Sequence, residues 1–527
     1  MTELAASAPE AAFSGGGSAP VLPHTAGARW ARPVAVLLVA VSAATLGLTG
    51  SLALAALPLL AGAGVVALWW LPVRVPLFAL LALGILADVG GPVPVPANDP
   101  VLAPVRLLRE LLLENLNGIT GIQALRFSGL DVLLVGLLLL LGVRAACRVP
   151  EDLGVPARPL PPLILALGAA VGALLLAEVW GIARGGDVRQ SFWQIRYLLW
   201  TPMLAALAML LVRRLQHVTE IALVLTAVAI VKAGLGTYVY LWSRTHGHGI
   251  PHSVTSHADT MLFAVVIALW SGILVLRPSA GRLLLGVPAL LSMLLAIVVN
   301  NRRTAYVSVG LALVLLLLHV PRRTLRQALL VMLAASPLLA GYLIVGKSRS
   351  GGLFAPAAAI WSVAKQDDSS SDSRDVENYN LTLTFRGNFP IGAGFGHPYD
   401  EGPASYDLSE VFAQFRFVAH NSILWLLGIL GPLGFALLWL PLALGTYFAA
   451  VSHRLAESAA RPHTVRIAAY VVMSTLAIYQ VQAYSDMGTQ GWTGTTLVAL
   501  ALATTSVLAH ETGAWRPRRA SRSAEAT

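Results

Sequence analysis

The chain has 527 residues, 56% of them hydrophobic and only 12% charged, with a mean hydropathy of +0.72. That excludes a water-soluble globular protein, which has no means of hiding so much apolar surface, and points to a polytopic membrane protein. The net charge of +10 does not mark a nucleic-acid binder, because the basic residues sit in short connections between apolar runs; Cys147, the single cysteine, allows neither an intrachain disulfide nor a cysteine metal cluster.

Residues 1–28 are rich in Ala, Ser, Gly and Pro and read as a disordered tail. The first apolar run, from Val34, leads straight into a second, so no cleavable signal peptide is expected. The runs are continuous rather than alternating, and span after span reaches the roughly 17–25 residues that cross a bilayer as a helix. Spans are expected near 33–49, 51–71, 73–90, 129–146, 160–181, 191–212, 219–241, 258–276, 283–300, 304–319, 327–346, 420–450, 466–484 and 493–510. The fold class is therefore all-α, a polytopic membrane protein of about 12–14 transmembrane helices. A transmembrane domain over 29–513 is followed by a basic disordered tail, 514–527. Between the third and fourth spans, "VLAPVRLLRELLLENL" is amphipathic and reads as a helix lying along the interface.

Arginine dominates the basic residues, with lysine at Lys232, Lys347 and Lys365; together with the Ala, Gly and Leu load this fits a GC-rich bacterial genome. One set of alternate connections holds most of the arginines, among them Arg74, Arg144, Arg213, Arg277, Arg282, Arg322 and Arg454. The positive-inside rule then puts both termini in the cytoplasm of a bacterial plasma membrane protein and makes 347–419 one large extracytoplasmic loop.

The candidate chemistry lies on the other side. Arg196, in "SFWQIRYLLW", stands just inside the outer end of its span, as an ion pair with Glu178 or as a phosphate contact. His246, His248, His252 and His257 share one outer loop; their spacing matches no standard zinc site, and a polar entrance lining or acceptor contact is the better reading. Arg302 and Arg303, in "VVNNRRTAYVSVGL", open a span on the outer side, against the trend that explains the other arginines. They either snorkel to headgroups or, beside a helix start, make a site for a phosphate or diphosphate. In the large loop, "QDDSSSDSRD" reads as polar and mobile, while Arg386 precedes "FPIGAGFGHPYD", whose glycines allow tight turns and close backbone approach to a ligand. Asp407 and Glu410 have the spacing of a capping box. Arg416 would then stand one turn before His420 and keep its imidazole neutral, as a general base requires. Asp486 reads as a turn residue in the last outer loop.

In order and spacing, "NNRRTAYVSVGL", "TFRGNFPIGAGFG" and "HNSILWLLGILGPLG" resemble the O-antigen ligase and O-antigen polymerase superfamily over roughly residues 180–450. The resemblance implies an all-α, metal-independent, inverting glycosyltransferase with no cofactor. Such an enzyme takes a glycan from a polyprenyl diphosphate on the extracytoplasmic side and joins it to an acceptor hydroxyl on a glycan, lipid or protein. By motif, Arg302 or Arg303, with Arg196 and Arg386, would hold the diphosphate, and His420 would be the general base. The alternative is a transporter or flippase of lipid-linked oligosaccharides. That class calls for polar residues through the membrane depth and for repeated halves; neither is evident in this sequence.

Overall fold

In a computed structural model of the chain, apolar runs of about twenty residues are α-helices, the conformation in which backbone without water satisfies itself. The structure describes residues 36–47, 68–89, 95–96, 98–117, 127–147, 159–248, 254–300, 302–349, 369–402, 413–459 and 461–515, with single positions 59, 64, 354, 357, 358 and 361. Met1–Pro72 and Val73–Thr527 are two units. In the first, α1 is Val36–Gly47.

The second unit begins with α2 (Arg74–Ala87) and the amphipathic α3 (Ala103–Leu112), then α4 (Gly129–Ala146), α5 (Pro161–Ala183), α6 (Val188–Leu211) and α7 (Leu215–Thr245). Next come α8 (Asp259–Leu276), α9 (Ala280–Asn300), α10 (Arg303–His319), α11 (Arg322–Ser348) and α12 (Ser369–Gly387). The last three are α13 (Ser422–Ser458), α14 (His463–Ser485) and α15 (Trp492–Thr512). Among the described residues there are no strands, and nine helices, α4–α9 and α13–α15, are long and apolar enough to cross a membrane. α1, α2 and α10 are shorter apolar helices. Most of the expected span 51–71 lies outside the described residues, as do Asp407, Glu410, His252 and nearly all of both tails.

Burial and polarity run in an order opposite to that of a soluble protein. In α15, Trp492 through Ala509 are all buried, six of them hydroxyl residues: Thr493, Thr495, Thr496, Thr504, Thr505 and Ser506. In α5 and α9 the outward residues are purely apolar, with Leu165, Leu176, Leu284 and Leu285 among the most exposed. Lipid is as apolar as leucine, so only the inner helices have partners for hydroxyls and small side chains. α15 packs on α6 and α13, α14 on α13, α8 and α10, and α9 on α7 and α8.

Two expectations are corrected. The segment containing "QDDSSSDSRD" is not a mobile polar stretch: from Ser369 it is the start of α12, which packs on α13 through the buried Glu377, Asn380, Leu381 and Thr384. These fall at helical spacing, one face down and three polar groups with it. The second concerns α13, which is not one continuous helix. Gly431 has φ 65° and ψ 173° and breaks it ahead of Pro432. Pro432 has no N–H to give the Gly428 carbonyl, and the break removes the donor for Ile429. Both carbonyls are met from the glycine-rich stretch, by Ala393 N–H at 2.9 Å and Gly394 N–H at 3.0 Å. A Cβ on Gly431 would stand 2.1 Å from the Pro390 carbonyl oxygen, and one on Gly394 2.4 Å from the Gly181 Cα. The close approach those glycines permit is therefore to α5 and α13.

Candidate functional site

Helix ends bring the polar groups together. Arg302 is the N-cap of α10, His257 lies two residues ahead of α8, and Asp486 is the C-cap of α14. Asn300, fully buried at the end of α9, fixes the histidine-bearing connection by accepting from Val254 N–H and Thr255 N–H, both at 3.1 Å. His257 Nδ1 donates to Asp486 Oδ2, and Arg302 Nη2 donates to His257 Nε2 at 2.6 Å. A guanidinium only donates, so Nε2 must be the acceptor and the ring must carry its proton on Nδ1. Arg302 thus faces a neutral imidazole, with the carboxylate one residue further away. Its Nε is buried and has no hydrogen-bond partner among the described residues. Burial lowers the Arg302 pKa, against the pull of Asp486, but a guanidinium stays charged at any physiological pH. Burial alone would raise the Asp486 carboxyl; the His257 hydrogen bond holds it below its usual range. Asp486 is therefore an ion-network member, where the sequence reading had a turn residue.

His420 stands beside this group. It precedes Asn421, whose side chain caps α13 by accepting from Leu424 N–H at 3.1 Å. Ser422 Oγ donates to the Asp486 carbonyl at 3.2 Å, which ties the start of α13 to the His257–Arg302 cluster. The Glu377 carboxylate of α12 accepts from His420 N–H at 3.2 Å and from His420 Nδ1 at 3.2 Å. That holds the ring with Nε2 turned away from Glu377. Burial depresses the His420 pKa, but the Glu377 hydrogen bond and charge, with Asp486, more than offset this and raise it above the ordinary histidine value. The expectation for Arg416 is corrected here. Arg416 ends a short 3-10 turn, Ala413–Arg416, and its Nε lies 3.2 Å from Glu401 Oε1. It is one turn from His420 in sequence only, and does not keep that ring neutral.

The remaining candidates are spread more widely. Arg303 is the first residue of α10. Arg196 meets Asp131 rather than Glu178: Nη2–Oδ2 is 2.5 Å and Nε–Oδ1 is 3.2 Å, and Trp200 Nε1 donates to the same carboxylate at 2.8 Å. Glu178 accepts from Ser191 Oγ at 2.6 Å instead. Arg386 is exposed in the last turn of α12. Nine residues beyond Glu377, it is about 13 Å further along and on the opposite helix face. Arg374 is one turn before Glu377 on the same face, and its charge acts on both His420 and Arg302. His246 and His248 stack on Trp242, with centroids at 4.2 and 5.3 Å. Sequence reasoning missed Glu377, Arg374 and Asp131. It also missed the fully buried Lys232–Asp259 pair at 2.9 Å, whose Asp259 Oδ2 accepts from Ser256 N–H at 3.0 Å beside His257.

Among the described residues, this arrangement offers a half-buried cation with no carboxylate in direct contact and a carboxylate-backed imidazole at the same end of the bundle. Residues 288–439 match the family model described as O-Antigen ligase. The matched stretch runs from within α9 to within α13 and carries Arg302, Arg303, Arg374, Glu377, Arg386 and His420. Among curated proteins, none matches the chain. Over this segment the chain is similar to the O-antigen ligase family, and His257 and Asp486 lie outside the match; the transporter reading is not favoured.

Proposed function

We propose that the chain transfers a glycan from a polyprenyl diphosphate to an acceptor hydroxyl on the extracytoplasmic face of a bacterial plasma membrane, with inversion and without a metal ion. The observation that carries this reading is Arg302, whose charge meets a neutral ring and whose buried Nε has no described acceptor. A diphosphate oxygen is what such a donor lacks. Arg302, with Arg303 at the same helix start and Arg374 across the cluster, supplies the positive charge that a metal would bring to the leaving group.

In the transfer, the acceptor oxygen attacks the anomeric carbon while its proton passes to His420 Nε2. The bond from that carbon to the diphosphate breaks, and its electron pair leaves with the lipid diphosphate. Charge grows on the diphosphate as the bond lengthens, so fixed guanidiniums lower the barrier more than they tighten ground-state binding. Glu377 holds the ring on its Nδ1 side and stabilises the imidazolium that forms. A single displacement inverts the centre. In this reading Arg196, while paired to Asp131, and Arg386 extend the diphosphate site.

The test is glycan transfer in sealed right-side-out vesicles with acceptor supplied outside. Wild type transfers and survives EDTA. His420→Ala loses about 10²–10⁴ in rate, with donor binding retained. Normal transfer by His420→Ala, or EDTA inhibition reversed by a divalent metal, refutes the mechanism. Transfer only after the inner face is opened refutes the orientation.

A further inference from the structure

At the other end of the bundle, Arg277 caps the end of α8 and Arg282 stands in the first turn of α9. Behind them a cavity of about 250 Å³ runs inward between α7, α8, α14 and α15. Thr219 and Thr464 stand with the two arginines where α7 and α14 begin, while Val265, Thr475 and Leu497 line it at depth. From Thr464 to Thr475 the rise along α14 is about 16 Å, roughly one leaflet of a hydrocarbon core about 30 Å thick. Part of the wall, Leu269, Ile273, Ile467 and Val471, belongs to a small apolar cluster, and the deeper part, with Val265 and Leu497, belongs to the main core. Among the described residues, no Asp or Glu lines the cavity. Arg282 Nη1 donates to the Arg277 carbonyl at 2.7 Å, which ties the two residues together, and Arg277 is exposed.

An apolar slot one leaflet deep, with two cations and no carboxylate at its mouth, has the chemistry of a single ligand class. We propose that it holds an acyl chain of an anionic phospholipid of the bilayer, with the headgroup phosphate on Arg277 and Arg282. Its polar groups gather at the mouth with Thr219 and Thr464, and the mostly apolar depth suits an acyl chain better than ordered water. A zwitterionic lipid would bring its own cation against the arginines. The site is at the end of α8 remote from His257, so it is separate from the transferase site and its occupancy can be read without glycan transfer.

The experiment is native mass spectrometry of the full chain in detergent, with phosphatidylglycerol and phosphatidylcholine of the same chain length, and polyprenyl phosphate as a third probe. Each basic side chain facing anionic lipid typically contributes a factor of about five, so two predict a preference for phosphatidylglycerol of roughly 25-fold at low salt. Arg277→Gln with Arg282→Gln, at exposed and half-buried surface positions, should fold normally and bring that preference close to one. Filling the slot by Ile273→Trp should reduce retention of both phospholipids. Equal retention of the two by wild type, an undiminished preference in the double variant, or polyprenyl phosphate displacing phosphatidylglycerol would each overturn the proposal.

Discussion

Two arginines stand at membrane ends in this molecule, and their surroundings differ. Arg196 meets the Asp131 carboxylate with two nitrogens, and Ser128 and Trp200 complete the shell. Arg302 meets a neutral imidazole, and Asp486 is reached only through that ring. The first is a closed unit, in which cation and anion cancel and the helix starting at Gly129 is fixed to α6. The second keeps a charge in reserve, held in place by a neutral contact. A half-buried arginine at a membrane end is thus informative about function only once its partner is known, and the partner is what distinguishes a strut from a binding group.

The contrast is sharpest in the effects of removing each guanidinium. Arg302→Gln should cost about 10²–10³ in kcat, the usual loss when one preorganised donor to developing charge is removed. Thermal unfolding should hardly move, because no carboxylate is left unpaired. A variant with normal turnover and lowered thermal stability would make Arg302 a strut as well. Arg196→Gln is expected to act the other way. It strands the nearly buried Asp131 carboxylate and should destabilise by about 3 kcal/mol, the low end for a broken buried pair since a fifth of Arg196 is exposed. Replacing both partners, Arg196→Met with Asp131→Leu, should recover most of that loss, as read from denaturation of the protein in micelles. If the singly changed protein keeps its stability but loses donor affinity, Arg196 belongs with Arg302.

The smallest effect expected is on pH. His420 accepts a proton only when neutral, and its pKa is raised above the usual histidine value. The acid limb of kcat/KM should therefore lie above the range of an ordinary histidine, with rate increasing as pH rises through it. Glu377→Gln removes the carboxylate that raises it, so the limb should move to lower pH while the plateau rate falls. A limb that stays in place would mean that Glu377 only supports the loop, or that another group titrates.

Apolar spans were legible because a bilayer forces hydropathy and helix to coincide, and residues from 73 onward fall close to the expected boundaries. α12 was not, because its composition is that of a solvated loop. Its signal was there in the helical spacing of Glu377, Asn380, Leu381 and Thr384, hidden because three of those four are polar. Arg302, Arg303 and His420 could be picked out by their position at span ends. The partners could not: His257 and Asp486 are separated by more than two hundred residues, and nothing local in "YSDMG" indicates which histidine that aspartate will hold. Arg416 shows the same limit in reverse, since closeness in sequence to His420 gave it an influence that Glu401 takes away.

The interruption at Gly431 has a consequence for anyone recombining such chains. A hydropathy plot would mark 388–396 as connecting sequence, exchangeable between relatives. Here it supplies the amides for Gly428 and Ile429, and Trp180 and Gln194 bond it from α5 and α6. A graft that exchanges this stretch without 428–431 would leave two peptide carbonyls unmet inside a membrane protein, each costing several kcal/mol. The short rod bearing His420 would then lose its footing. The sensible crossover points for a chimera therefore lie outside the pair, with both pieces moved as one cassette.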